Sequence, residues 1–67
     1  MVPQTITPRE REILSLTAQG RSAPDIARVL QLSSATVLTS LLTIYEKLGA
    51  SDRPSAVAAA VRRGLLE

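Results

Sequence analysis

Few residues in this sequence could carry out chemistry on a substrate. It contains no His, Cys, Trp or Phe, and its one Tyr is Tyr45. That removes the usual general base, the thiolate nucleophile and the soft metal ligands, and a zinc site would have to use carboxylates alone. The six carboxylates are scattered, four of them beside basic residues, and form no paired-acid, triad or phosphate-loop pattern. This inventory speaks against an enzyme, and no metal or organic cofactor is expected. Hydroxyls and cations are what is left. Ser22 and Ser33 stand where helices should begin, with Ser34 and Thr36 just behind Ser33, and eight Arg or Lys give a net charge of +2. So mild a basicity permits a polyanionic partner without demanding one.

The elements that position these groups follow from spacing. Sixty-seven residues make one domain, burying only about 60% of its unfolded surface. There is no apolar run of about 18 residues, so no transmembrane helix is expected. The N-terminus lacks a signal-peptide core, and the absence of Cys fits the cytosol, so a cytoplasmic location is expected. Residues 1–5 read as a linker or tag remnant, and residues 6–67 as the domain.

Thr7-Pro8-Arg9-Glu10 predicts a helix start: Thr7 caps, Pro8 fits the first turn, Glu10 completes a capping box and Ile6 staples. Ile13, Leu14, Leu16 and Thr17 then give a helical stripe, ended at Gln19-Gly20. Ser22 opens a short second helix with Pro24 and Asp25 in its first turn and with Ile26, Ala27, Val29 and Leu30 as its buried side. Gln31-Leu32 breaks it. Ser33 caps a third helix running to about Lys47, with Val37, Leu41, Ile44 and Leu48 facing the core and Gly49 as terminator. Ser51 or Asp52 caps a fourth helix, running to about Arg63 and closed by Gly64. The expected fold is an all-α four-helix bundle in which the second and third helices form a helix-turn-helix.

Several stretches make this pattern specific: Ile6 to Leu14, Ala18-Gln19-Gly20, Ser22, Asp25-Ile26-Ala27, Leu30, Leu32-Ser33, Thr36-Val37, Ile44 to Gly49, Arg53, Ala56-Val57-Ala58 and Arg62 to Leu65. Together they resemble the LuxR-type (GerE, or NarL/FixJ) DNA-binding domain over about residues 6 to 66, with no insertion. The resemblance implies a transcription-regulator output domain that reads the major groove of double-stranded DNA with its third helix, about residues 34–47. It also implies a homodimer paired through the fourth helix. Such modules usually follow a receiver or ligand-sensing domain, so this chain is expected to be either a fragment or a standalone protein. Carried over by position, Leu38, Thr39 and Leu42 fall where bases are read, and Lys47 and Arg53 near the DNA backbone. Ser22, Ser33, Ser34 and Thr36 place hydroxyls at helix N-termini, where amides and the helix dipole favour phosphate. Ala56, Val57, Ala60 and Val61 form a small-residue stripe for a dimer or partner.

The sequence departs from the family on that surface. Family members typically carry Lys at the positions of Leu38, Pro24 and Ala35, and polar or basic residues at Ser40 and Leu42. Here no residue from Ser33 through Tyr45 is charged. Each lost phosphate contact removes roughly 0.9 from the salt dependence of binding. Leu38 and Leu42, at i and i+4, stand together on one helix face. Three readings stay open for them: core of a slightly rotated helix, an apolar contact with DNA, or the anchor of a protein partner on a degenerate helix-turn-helix with weak or no DNA binding. The stripe on the fourth helix likewise divides between internal packing and pairing. Arg21 and Arg28 divide between DNA flanks and local ion pairs, and Arg9 with Glu12 is one such pair expected at the surface. Tyr45 is expected half-buried in the core.

Overall fold

The computed structural model describes residues 5–66, and among them only helices form: α1 Pro8–Ala18, α2 Ala23–Leu30, α3 Ser34–Leu48 and α4 Arg53–Arg62. Every helix start has the chemistry its sequence announces. The Thr7 hydroxyl accepts from the Glu10 amide at 3.1 Å, and the Glu10 carboxylate accepts from the Thr7 amide at 2.9 Å, closing the capping box. Ser22 and Ser33 accept from the third amide of α2 and of α3. Asp52, rather than Ser51, caps α4 and closes a second box with Ser55. The proposed linker, residues 1–5, lies outside the described residues except for Thr5.

α3 is the axis of the bundle and packs against all three other helices. Its inward residues Val37, Leu41, Ile44 and Leu48 meet Ile13 and Leu14 of α1, Ile26 and Ala27 of α2, and Ala56, Ala59 and Ala60 of α4. Tyr45, Ile6 and Leu32 pack half-buried around this core. Thr17 is buried among them at no cost in unpaired polarity, since its hydroxyl donates to the Ile13 carbonyl at 2.8 Å.

One residue expected inside is placed elsewhere, and a stripe left open between two roles is divided. Val29 is 53% exposed, because α2 is short and meets its neighbours through Ala23, Ile26, Ala27 and Leu30; its apolar stripe is wider than its contact surface. On α4 the small-residue stripe splits in two. Ala56 and Ala60 are fully buried, whereas Val57 is half-buried and Val61 50% exposed. The alanines are part of the core, and they are therefore not available to a second subunit.

The α2–α3 turn sets the orientation of everything outside the core. The two helix axes meet at 108°, the geometry of a helix-turn-helix. Gln31 ends α2 in the left-handed region at φ 58° and ψ 44°, and the Leu32 amide then donates to the Ala27 carbonyl at 2.8 Å. Gly49 does the same job for α3 at φ 66°, where a missing Cβ removes the penalty. Gln31 has no such relief, and an L-residue there costs about 1–2 kcal/mol. Gln31→Gly is therefore expected to stabilise the fold by about 0.5–1 kcal/mol, after glycine's greater unfolded-state freedom is subtracted. Urea denaturation checks this; an unchanged or lower midpoint would show that the Gln31 side chain compensates for its backbone.

Candidate nucleic-acid interface

The outward face of α3 is built from its N-terminal half. Ser33, Ser34, Ala35, Thr36, Leu38, Thr39 and Leu42 are all exposed, while Val37 and Leu41 between them point into the core. Leu38 is 54% and Leu42 69% exposed, which removes the reading of these residues as core in a rotated helix. The expected set Ser33, Ser34, Thr36, Leu38, Thr39 and Leu42 is thus brought onto one side of one helix. Its first-turn amides are open, apart from the Thr36 amide, which the Ser33 hydroxyl accepts at 3.1 Å. That hydroxyl in turn donates to the Thr36 hydroxyl at 2.8 Å, so both are committed to the cap. Ser34 and Thr39 keep their hydroxyls outward, and only the Thr39 carbonyl is engaged, by the Thr43 hydroxyl at 3.3 Å.

α2 offers less to an anion than its N-terminus suggests. Ser22 caps it at 3.3 Å, but the half-exposed Asp25 carboxylate in the same turn already occupies the positive end of the dipole. Arg28 pairs with Asp25 across one turn while its side chain stays largely exposed, the local pair that was one of its two expected roles. Arg9 and Glu12 approach at 4.0 Å, as expected of a weak surface pair.

Lys47 differs most from its expected place. It was placed at the DNA backbone, yet its side chain is only 7% exposed. Its ammonium donates to the Glu10 carboxylate at 2.7 Å and to the Thr5 carbonyl at 3.1 Å. The side chain is buried and the charge is spent on an internal pair, so Lys47 is a tie between α3 and α1 and not a phosphate contact. One carboxylate oxygen of Glu10 serves both Lys47 and the Thr7 amide. Burial raises the affinity of this carboxyl for its proton, but the Lys47 hydrogen bond, the Thr7 amide and the Lys47 charge outweigh burial and hold its pKa below the usual 4.5. No sequence signal points to the pair, since 37 residues separate its members. Arg63 adds a second tie, donating to the Lys47 carbonyl at 3.4 Å, where a cation meets the C-terminal end of α3.

Arg53, half-buried in the first turn of α4, and the exposed Arg21, in the loop before α2, are the remaining expected cations. Among the described residues no cluster of His, Cys, Asp or Glu could hold a metal ion, and no single helix is long and apolar enough to cross a membrane.

Over residues 4–60 the sequence matches the family described as bacterial regulatory proteins, luxR family. It is 47% identical over 66 residues to the probable transcriptional regulatory protein NarL of Mycobacterium tuberculosis, a match covering 98% of this chain and 31% of that protein. It is 43% identical over 61 residues to the transcriptional activator protein BjaR1 of Bradyrhizobium diazoefficiens, covering 91% of this chain and 25% of that one. The chain therefore spans less than a third of the length of these relatives. Among solved structures, the response regulator ChrA of a heme-sensing two-component system superposes with a TM-score of 0.89 at 43% identity, over 94% of this chain and 31% of that one. The transcription factor GerE superposes with a TM-score of 0.88 at 35% identity, over 97% of this chain and 96% of that one.

Proposed function

Because the chain belongs to the luxR family of bacterial regulatory proteins, we propose that it is a DNA-binding output domain that lays α3 in the major groove of a duplex. The observation that carries this reading is the outward, unobstructed N-terminal half of α3, held at 108° to α2. A helix so presented fits the groove and brings Leu38, Thr39 and Leu42 to base edges. Ser34 and the open amides of the first turn of α3 meet the sugar–phosphate backbone, with Arg53 and Arg21 at its flanks. Lys47 stiffens the reader from within. Such a protein works in the cytoplasm, where the chromosome of a bacterium lies.

Two copies pair through the outer edge of α4. With Ala56 and Ala60 committed to the core, Val57 and the exposed Val61 carry that contact, beside the half-buried Leu65 and Leu66. The signal that drives pairing belongs to whatever domain the full regulator carries.

Titration of a labelled mixed-sequence duplex, followed by fluorescence anisotropy at two salt concentrations, tests the proposal. Micromolar binding is expected at about 50 mM salt, weakening with a slope of about −3 or shallower, because few cations remain to displace counterions. Absence of binding at that salt, with helical circular dichroism intact, would sink the DNA reading. The exposed Leu38–Leu42 pair favours the second reading in that event, an apolar anchor for a protein partner.

A further inference from the structure

The reading face of α3 holds an unusually narrow set of chemistries. From Ser33 to Tyr45 it contains no Arg, Lys, Asn, Gln, Asp or Glu. The bidentate partners of guanine and adenine are therefore absent, and so is the carboxylate that would accept from the amino group of cytosine. Hydroxyls offer single, permissive hydrogen bonds. The groups that reach furthest outward are the isobutyl side chains of Leu38 and Leu42, 54% and 69% exposed, flanked by the exposed Thr39 and its methyl group. Only one base edge in the major groove presents an apolar feature to match them, the C5-methyl of thymine.

Resting on the duplex-DNA reading above, we infer that Leu38 and Leu42, with Thr39, are specificity-determining residues that select thymines through their C5-methyl groups. Side chains at i and i+4 stand about 5–6 Å apart on a helix surface, and successive bases on one strand rise about 3.4 Å. The two leucines therefore span about one to two base steps, and two thymines on neighbouring steps satisfy both. Each methyl group enclosed between a leucine and the base removes apolar surface from water, an effect of about fourfold in affinity. A pair gives about fifteenfold between the preferred site and one lacking the methyls. That is less than bidentate hydrogen bonding gives, so this reader discriminates gently and by shape.

The experiment selects duplexes from a randomised pool with this 67-residue chain at low salt. Each thymine of an enriched duplex is then replaced singly by deoxyuridine, which deletes the C5-methyl and nothing else. Affinities are read by anisotropy. Weakening of about fourfold at one or two thymines is expected, together with equal binding of thymine and deoxyuridine duplexes by Leu38→Ala and Leu42→Ala at the matching position. Both side chains are exposed, so the variants keep the core intact. Undiminished binding of every deoxyuridine duplex by the unaltered chain overturns the inference and leaves the DNA reading standing. If the folded chain enriches no duplex and binds none, the inference and the reading beneath it both fail, and the leucine pair belongs to a protein contact.

Discussion

Replacing Glu10 by Ala is expected to lower the melting temperature by about 15 °C, a large fraction of what holds this domain together. The substitution leaves the Lys47 ammonium, 7% exposed, with the Thr5 carbonyl as its one partner among the described residues. It also strips the Thr7 amide of its capping acceptor. Removing one member of a buried pair costs roughly 3 kcal/mol, against a total of about 3–10 kcal/mol for a domain of this size, and each 1 kcal/mol moves the midpoint by about 4–8 °C. Lys47→Met should cost about half as much, because the Glu10 carboxylate keeps the Thr7 amide and edges toward water. Equal losses from the two variants would show that stranding the ammonium costs no more than stranding the carboxylate.

The same pair sets the acid limb of the stability curve. The Glu10 pKa in the folded protein lies below its usual 4.5, so its contribution is fully present above that value and is lost as pH falls through the folded value. Asp52 adds in the same sense, held below 3.8 by the Ser55 amide and then by the Ser55 hydroxyl. With no His in the sequence, no imidazole titration intrudes near neutrality. Thermal midpoints should stay level from pH 8 to about pH 5 and fall below about pH 4.5, and Glu10→Gln should make that fall shallower.

Restoring charge to the reading face has the larger effect on binding. Leu38→Lys places an ammonium where a 54%-exposed isobutyl group stands, within reach of phosphate along the groove wall. One new contact steepens the salt slope by about 0.9 and strengthens non-specific binding about eightfold at 0.1 M salt. Leu38→Lys with Leu42→Lys should reach about sixtyfold, with no loss of folding because neither side chain is core. Anisotropy against salt concentration reads both quantities. An unchanged slope in the double variant would mean that this face of α3 does not approach a duplex, and the DNA proposal would fall with it.

The helix ends and most of the core were legible in the chain. Thr7-Pro8-Arg9-Glu10 writes out a capping box that the structure closes atom for atom, and Val37, Leu41, Ile44 and Leu48 fall inside as their spacing demands. What could not be read has physical causes in each case. Periodicity shows which residues are apolar on one side of a helix, not how wide its neighbours are, so Val29 reads as core and sits at the surface. It does not show depth either: Val57 and Val61 lie about 100° round α4 from Ala56 and Ala60, and only the packing shows that the alanines take the inner side. Lys47 stands at a family position and in a basic last turn, and nothing local shows that its charge meets Glu10 across the bundle. Gln31 adopts a backbone conformation that its side chain gives no hint of. For the reading face itself, the sequence supplied the residue types and only the structure supplied their exposure.

The neutrality of α3 also bears on how such a protein would find its target. A strongly basic reader lingers on any stretch of duplex and explores it by sliding, with most copies held at wrong sites at any moment. A reader whose outward helix face carries no exposed cation has little to hold it between targets. It spends most of its time in free solution and samples the chromosome by short, independent visits. Occupancy of its operator would then follow how many copies are paired at a given moment, and a signal that changes pairing would change transcription with little buffering by the rest of the genome.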